Sequence, residues 1–316
     1  MKRILLLGGY GFIGSNLLKF IDEHLSSDYS VIVFDRYQVH PFGMSFKCVE
    51  KAYTGDFGDF ALMESIFQQH KITSVIHLIS TTVPSTSIDA RFDIESNLLP
   101  TIELLNLMVK YNVNRIVFLS SGGAIYGNSN NNRKHREIDN LFPISSYGIV
   151  KLTIEKYLYQ YTKLTKIRTL ILRVSNPYGI YHYSEKQGVI NIALRAAMSG
   201  QTFKVWGDGK AVKDFIFITD LCDILFRLLD KNEGYKILNV GSGNAVSLNH
   251  IFEEIKRSVP GFVYDYGEPS KYDVTHFEID NSELLREIGT FNFLPLQKGI
   301  RKTLDWLIDS ETSLKK

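Results

Sequence analysis

The chain is expected to fold as an α/β protein, a Rossmann-type doubly wound parallel sheet carrying a smaller C-terminal substrate lobe. Three features point there. Short apolar runs alternate with amphipathic stretches at helical spacing through the first half of the chain. A glycine-rich turn, Gly8-Gly9-Tyr10-Gly11-Phe12-Ile13-Gly14, stands between the first such run and the first helix. An acidic residue, Asp35, closes the second run.

The apolar runs place strands at Arg3 to Leu7, Val31 to Asp35, Ser74 to Leu78, Arg115 to Leu119 and Thr169 to Val174. Between them the spacing predicts helices near Phe12 to His24, Asp59 to His70, Asn97 to Tyr111 and Tyr147 to Leu164. Strands alternating with helices in this way read as a parallel sheet covered on both faces. The polar stretch Asn128 to Arg136 has no periodicity and reads as a solvated loop whose charges need no partner. After Asn176-Pro177 the alternation weakens into short helices and Gly-rich turns. The expected division is therefore a dinucleotide-binding domain over 1–176 and a smaller lobe over 177–316, with excursions back to the main sheet.

Bulk properties narrow the function. The 316 residues are 44% hydrophobic, enough for a sizeable core, and 36 Lys+Arg against 34 Asp+Glu leave a net charge of +2. No global field recruits nucleic acid or an anionic membrane, so an anionic ligand needs a local site. No apolar stretch reaches ~18 residues, and the N-terminal run lacks a signal peptide's length. Cys48 and Cys222 are far apart and lack metal-ligand spacing. They read as small buried hydrophobes in a cytoplasmic protein with no metal site.

The glycine loop carries the first piece of chemistry. Glycines at 8, 11 and 14 let the chain turn sharply and approach a pyrophosphate, while the free N–H groups opening the helix at Phe12 and Ile13 face the anion. Asp35 follows about twenty residues on, where a carboxylate accepts from ribose hydroxyls and repels a 2′-phosphate. NAD is thereby favoured over NADP, a preference that the adjacent Arg36 softens. The second piece is Tyr147 with Lys151. Four residues apart on one helix, they share a face, and an ammonium beside a phenol favours the phenolate that a proton acceptor needs. His77, among apolar strand residues, reads as a core histidine.

With GGYGFIG, Gly55-Asp56-Phe57, Val75-Ile76-His77-Leu78, Asn97, SSGGAIYG at Ser120 to Gly127, YGIVK at 147–151, RVSNPYG at 173–179 and Lys213-Asp214-Phe215-Ile216 in place, the chain resembles the extended short-chain dehydrogenase/reductases. Within them it is similar to the NAD-dependent epimerase/dehydratase family and its UDP-glucose 4-epimerase-like group. The resemblance runs from Gly8 to about Asp273 and implies an NAD-dependent nucleotide-sugar 4-epimerase acting through a 4-keto intermediate on a UDP-hexose or UDP-N-acetylhexosamine. It implies adenine contacts at Asp56 and Phe57, and a dinucleotide lining from Leu78, Ile79, Ser80 and Thr82. Asn97 would stand behind the nicotinamide region, with Ser120 and Tyr178 near the cofactor. Asn176 would meet the substrate diphosphate, and Val189, Trp206 and Lys213 would form the nucleotide-sugar cradle. For Trp206 the residue itself leaves a core aromatic equally open.

Two departures stand out. The family's Ser or Thr hydroxyl, four residues before the tyrosine of the V-Y-G turn, falls on Gly122, and Gly123 and Ala124 stand where related dehydratases carry an Asp-Glu pair. Ser121 is the nearest hydroxyl and takes the third catalytic place, with Ser120 the other candidate. The arginine usual for phosphate binding is missing from Ser270-Lys271-Tyr272-Asp273, and Lys213 offers a point charge instead of a bidentate fork. The rival readings are a nucleotide-sugar reductase or dehydrogenase, and a catalytically impaired nucleotide-sugar-binding protein. The partner is a small-molecule nucleotide sugar, and a homodimer is among the assemblies open to the chain.

Overall fold

A computed structural model describes residues 1–128, 133–231, 233–269 and 274–314. The chain opens with β1 (Lys2–Leu7), which sends Ile4 and Leu6 into one core and Leu5 and Leu7 into another. This alternation is what a strand covered on both faces requires. Helix α1 (Phe12–His24) lays Leu17, Leu18 and Ile21 on the first core, and β2 (Tyr29–Asp35) is buried throughout. Then come β3 (Val49–Thr54), α2 (Phe60–Gln69) and β4 (Ser74–His77). The Asp59 side chain caps α2 by accepting from the Leu62 N–H. A short helix α3 (Ala90–Asp93), a π-turn (Ile94–Leu98) and α4 (Leu99–Lys110) follow without a break.

Next are β5 (Arg115–Ser121), the one-turn helix α5 (Gly122–Ile125), α6 (Ser146–Leu164) and β6 (Arg168–Val174). The second half contributes β7 (Asn176–Tyr178), α7 (Val189–Ser199), β8 (Phe203–Trp206), β9 (Val212–Phe217), α8 (Ile218–Leu229) and β10 (Tyr235–Val240). It ends with β11 (Ala245–Ser247), α9 (Leu248–Ser258), β12 (Tyr264–Gly267), β13 (His276–Phe277), α10 (Ser282–Ile288) and α11 (Leu296–Leu314).

The main sheet has seven parallel strands in the order β10-β6-β5-β4-β1-β2-β3. Strand order reverses between β1 and β4, and open α/β sheets bind ligands in the crevice beyond the C-terminal ends of the strands at such a point. The glycine loop leaves β1 there, and residues 78–82 leave β4 beside it. Strand β10 is the return to the main sheet, pairing with β6. Strand β9 lies at the centre of a second sheet, pairing with β7, β11 and β13, while β8 pairs with β12.

Three elements differ from expectation. Strand β3 was not legible because half of its residues are exposed and none is fully buried at the sheet edge, which erases the apolar run. The helix expected from Asn97 begins at Ala90, and Asn97 lies inside the π-turn. The stretch Asn128 to Arg136 is not simply solvated: residues 129–132 lie outside the described residues, but Lys134 pairs with Glu278 at 3.1 Å and Arg133 with Asp139 at 3.0 Å. The His135 backbone also bonds Glu278 and Asp280. Cys48 and Cys222 are buried free thiols.

Candidate active site

The phosphate loop is built by close backbone approach. Gly8 has φ +81°, and a β-carbon on Gly14 would stand 2.3 Å from the Gly8 carbonyl oxygen, so any side chain there would push the loop away from the helix. Gly11 precedes α1 with no side chain capping the helix, which leaves the Phe12 and Ile13 N–H groups facing the crevice mouth. A pyrophosphate fits that cradle. Asp35, 6% exposed, ends β2 beside it, accepting from Tyr10 N–H at 2.9 Å and from Tyr37 N–H at 3.2 Å. Each carboxylate oxygen keeps a lone pair for a ribose hydroxyl. The Arg36 guanidinium lies over the Tyr37 ring, 5.0 Å from its centre. These residues fit NAD.

Tyr147 and Lys151 lie one turn apart near the start of α6, the Lys151 ammonium 5.9 Å from the Tyr147 ring centre. Lys151 is buried, donates to the Leu119 carbonyl at 3.0 Å and lies over the Phe118 ring. Burial lowers its pKa to about 8, against the opposing charge of Glu155. The Ser121 and Ser80 hydroxyls face the Tyr147 phenol and act to lower its pKa. Its pKa is nevertheless raised, because burial outweighs both neighbours.

Ser120, expected at the cofactor, instead gives its hydroxyl to Glu155 at 2.6 Å. Glu155, one turn beyond Lys151 on α6, also holds Arg173 at 2.7 Å, and both are almost completely buried. Arg173 donates onward to the Tyr126 hydroxyl at 3.0 Å, which donates to Asn239 at 2.7 Å. This paired network stiffens the floor beneath the lysine. The missing hydroxyl has a steric cause. A β-carbon on Gly122 would stand 2.9 Å from the Phe277 ring, brought there by β13.

The loop after β4 closes one wall. Leu78 and Ile79 pack against Gly8, Ser80 donates to the Thr82 carbonyl, and Thr82 donates to Asp93 at 2.6 Å. Asn97 accepts from Thr81 N–H at 2.9 Å and so holds this loop from behind. Asp56 is exposed and caps its own turn through Gly58 N–H. Phe57 is buried edge-on against His77. His77 is a core residue, bonded to Thr101 at 3.0 Å, with its pKa lowered to about 3 by burial.

On the other side Asn176 donates to the Asp214 carbonyl at 2.7 Å, and Val189 opens α7. Lys213 lies on β9 next to Asp214. Tyr178 is not brought to the site: it is 2% exposed, packed edge-on against Phe215 and Phe217, with its hydroxyl directed at the Leu296 carbonyl of α11. Trp206 is no core aromatic, being 66% exposed at the end of β8. Ser270-Lys271-Tyr272-Asp273 lies outside the described residues. Among the described residues no three His, Cys, Asp or Glu side chains gather as a metal site, and no helix is long and apolar enough to cross a membrane. Sequence reasoning missed Ser87, Asp93, Glu155, Arg173 and Phe277. Only the spacing of four from Lys151 to Glu155 was a usable signal.

Comparison with known proteins identifies the family. The model of the NAD dependent epimerase/dehydratase family matches residues 4–241. A Methanocaldococcus jannaschii protein that bears the provisional name UDP-glucose 4-epimerase is 32% identical over 315 residues, covering 96% of this chain and 98% of its own. The solved UDP-glucose 4-epimerase of Thermotoga maritima with UDP-glucose superposes with a TM-score of 0.91 at 27% identity, covering 98% of this chain and 99% of its own. The Thermus thermophilus UDP-glucose 4-epimerase, in complex with NAD, gives 0.86 at 26% identity, covering 97% and 99%. The chain belongs to the NAD-dependent epimerase/dehydratase family.

Proposed function

We propose that the protein is an NAD-dependent nucleotide-sugar 4-epimerase, with a UDP-hexose or UDP-N-acetylhexosamine as substrate. The observation that carries this reading is the meeting of Tyr147 and Lys151 with Ser121, the last residue of β5. Tyr147 takes the proton of the sugar 4-hydroxyl, Ser121 steadies that hydroxyl, and the Lys151 ammonium stabilises the phenolate. NAD, when bound, accepts the hydride from the sugar C4 and gives it back. Ser121 and Tyr147 hold the resulting 4-keto sugar by its oxygen while it turns over. Asn176 and Lys213 grip the nucleotide diphosphate, and Val189 and Trp206 complete the nucleotide cradle, so the hexose stays free to present its other face.

Asp35 favours NAD over NADP, since a 2′-phosphate would lie against a buried carboxylate. The division into a cofactor domain over 1–176 and a substrate lobe over 177–316 follows from the same reading. The two reduced, buried cysteines suit a cytoplasmic enzyme. Phe92, Leu99 and Ile149 are each about half exposed on the α3–α4 and α6 side, which suits a homodimer formed through these helices. Incubation of the pure protein with a panel of UDP- and dTDP-sugars without added cofactor tests the reading. Interconversion at C4 is expected, and sugars returned unchanged throughout would refute it.

A further inference from the structure

Asp93 closes α3, is 0% exposed and lines a small cavity together with Ser80, Thr82, Asn97, Tyr147 and Lys151. A carboxylate is buried at tolerable cost only where donors surround it. Thr82 Oγ1 donates to one oxygen at 2.6 Å and Ser87 Oγ donates to the other. Both donors belong to the segment that follows β4, so one side chain pins that segment at two places. The Ser87 hydroxyl, its proton committed to Asp93, accepts from the Tyr147 N–H at 2.7 Å. That amide lies in the first turn of α6, where no carbonyl one turn earlier can serve it, and the helix-capping Ser145 hydroxyl serves Gly148 instead. At the other end of the segment the Thr82 carbonyl accepts from Ser80 Oγ at 2.9 Å, and the Ser80 hydroxyl meets the Tyr147 phenol.

We propose that Asp93 is a positioning residue for Tyr147. It fixes Ser87 under the Tyr147 amide and Thr82 beneath Ser80, so the tyrosine is held at its backbone and at its hydroxyl before substrate arrives. The proposal rests on the reading of Tyr147 as the proton acceptor. Small displacements of a proton acceptor are costly to rate, so a clamp at both ends of the residue has a catalytic purpose beyond stability. Asp93→Asn keeps the volume but offers one acceptor oxygen instead of two, so one of the two hydroxyl protons loses its acceptor. Ser87→Ala cuts the link to the amide, together with the Ser87 bond to Asp93, and leaves the Thr82 arm in place.

The test combines amide hydrogen exchange at Tyr147 with steady-state kinetics on UDP-glucose, using the full chain with NAD bound. Each variant is expected to speed exchange at Tyr147 on the order of tenfold. Each should also lower kcat on the order of tenfold with KM for the sugar nucleotide unchanged. The double variant should be no worse than the worse single one, because both cut the same link. Unchanged exchange at Tyr147 in Ser87→Ala, or additive kcat losses that follow the fall in Tm, would overturn the proposal. If the parent protein turns over no sugar nucleotide, the epimerase reading fails while the exchange data still decide the clamp.

Discussion

The ring of Phe277 lies 2.9 Å from the point where a β-carbon would stand on Gly122. The family's hydroxyl position is therefore filled from the far end of the chain, by a side chain that is 1% exposed. The Val174 and Arg173 carbonyl oxygens, at 3.3 and 3.4 Å, crowd the same point. Gly122→Ser should destabilise the protein by about 1–3 kcal/mol through overpacking, and lower turnover rather than raise it. Denaturant unfolding checks the first and kinetics the second. Adding Phe277→Leu should recover most of the stability. A Gly122→Ser protein as stable as its parent would show that the ring moves aside.

Tyr147→Phe removes the phenol and leaves the ring packed. Turnover should fall by about 10²- to 10⁴-fold, while nucleotide-sugar affinity measured by calorimetry stays within a few-fold. A variant with parental turnover removes Tyr147 from the chemistry.

The two serines at the end of β5 should separate cleanly. Ser121→Ala takes a hydrogen bond from the phenol and should cost roughly ten- to a hundredfold in kcat with little loss of stability. Ser120→Ala strips a donor from buried Glu155 and should cost about 1–3 kcal/mol of stability. Kinetics and thermal unfolding measured on both variants reveal a reversed pattern if the assignment is wrong.

The lysine sets an alkaline limit. Its ammonium, lowered to about 8 by burial, is charged below that value and neutral above it, so the aid it gives the phenolate is present at lower pH and lost as pH rises through about 8. A bound oxidised nicotinamide moves the limit further down by like-charge repulsion. Glu155 supports the ammonium, so Glu155→Gln should shift the alkaline limb of the kcat profile to lower pH. A limb shifted upward, or left in place, would contradict the role given to Glu155.

The parts of the site written in local sequence were legible: the glycine loop, Asp35 at a strand end, and Tyr147 and Lys151 four apart on a helix. Strand periodicity exposed the five central strands because each is buried on both faces. What sequence reading lost was non-local or solvent-facing. Strand β3 hides its pattern at an edge, and Phe277 reaches Gly122 across 155 positions. Asp93 and Ser87 acquire meaning only when the helix entry folds back on the loop after β4. Tyr178 sits within a motif otherwise near the site, yet the strand alternation turns its ring into the core against α11.

The central claim is that hydride leaves and returns within one turnover. Purified protein given UDP-glucose, with no nicotinamide added beyond what it carries, should produce the C4 epimer over many turnovers while nicotinamide absorbance stays at its starting level. NADH accumulating in proportion to sugar consumed, with no epimer formed, would contradict the account and mark the protein as a one-way oxidoreductase.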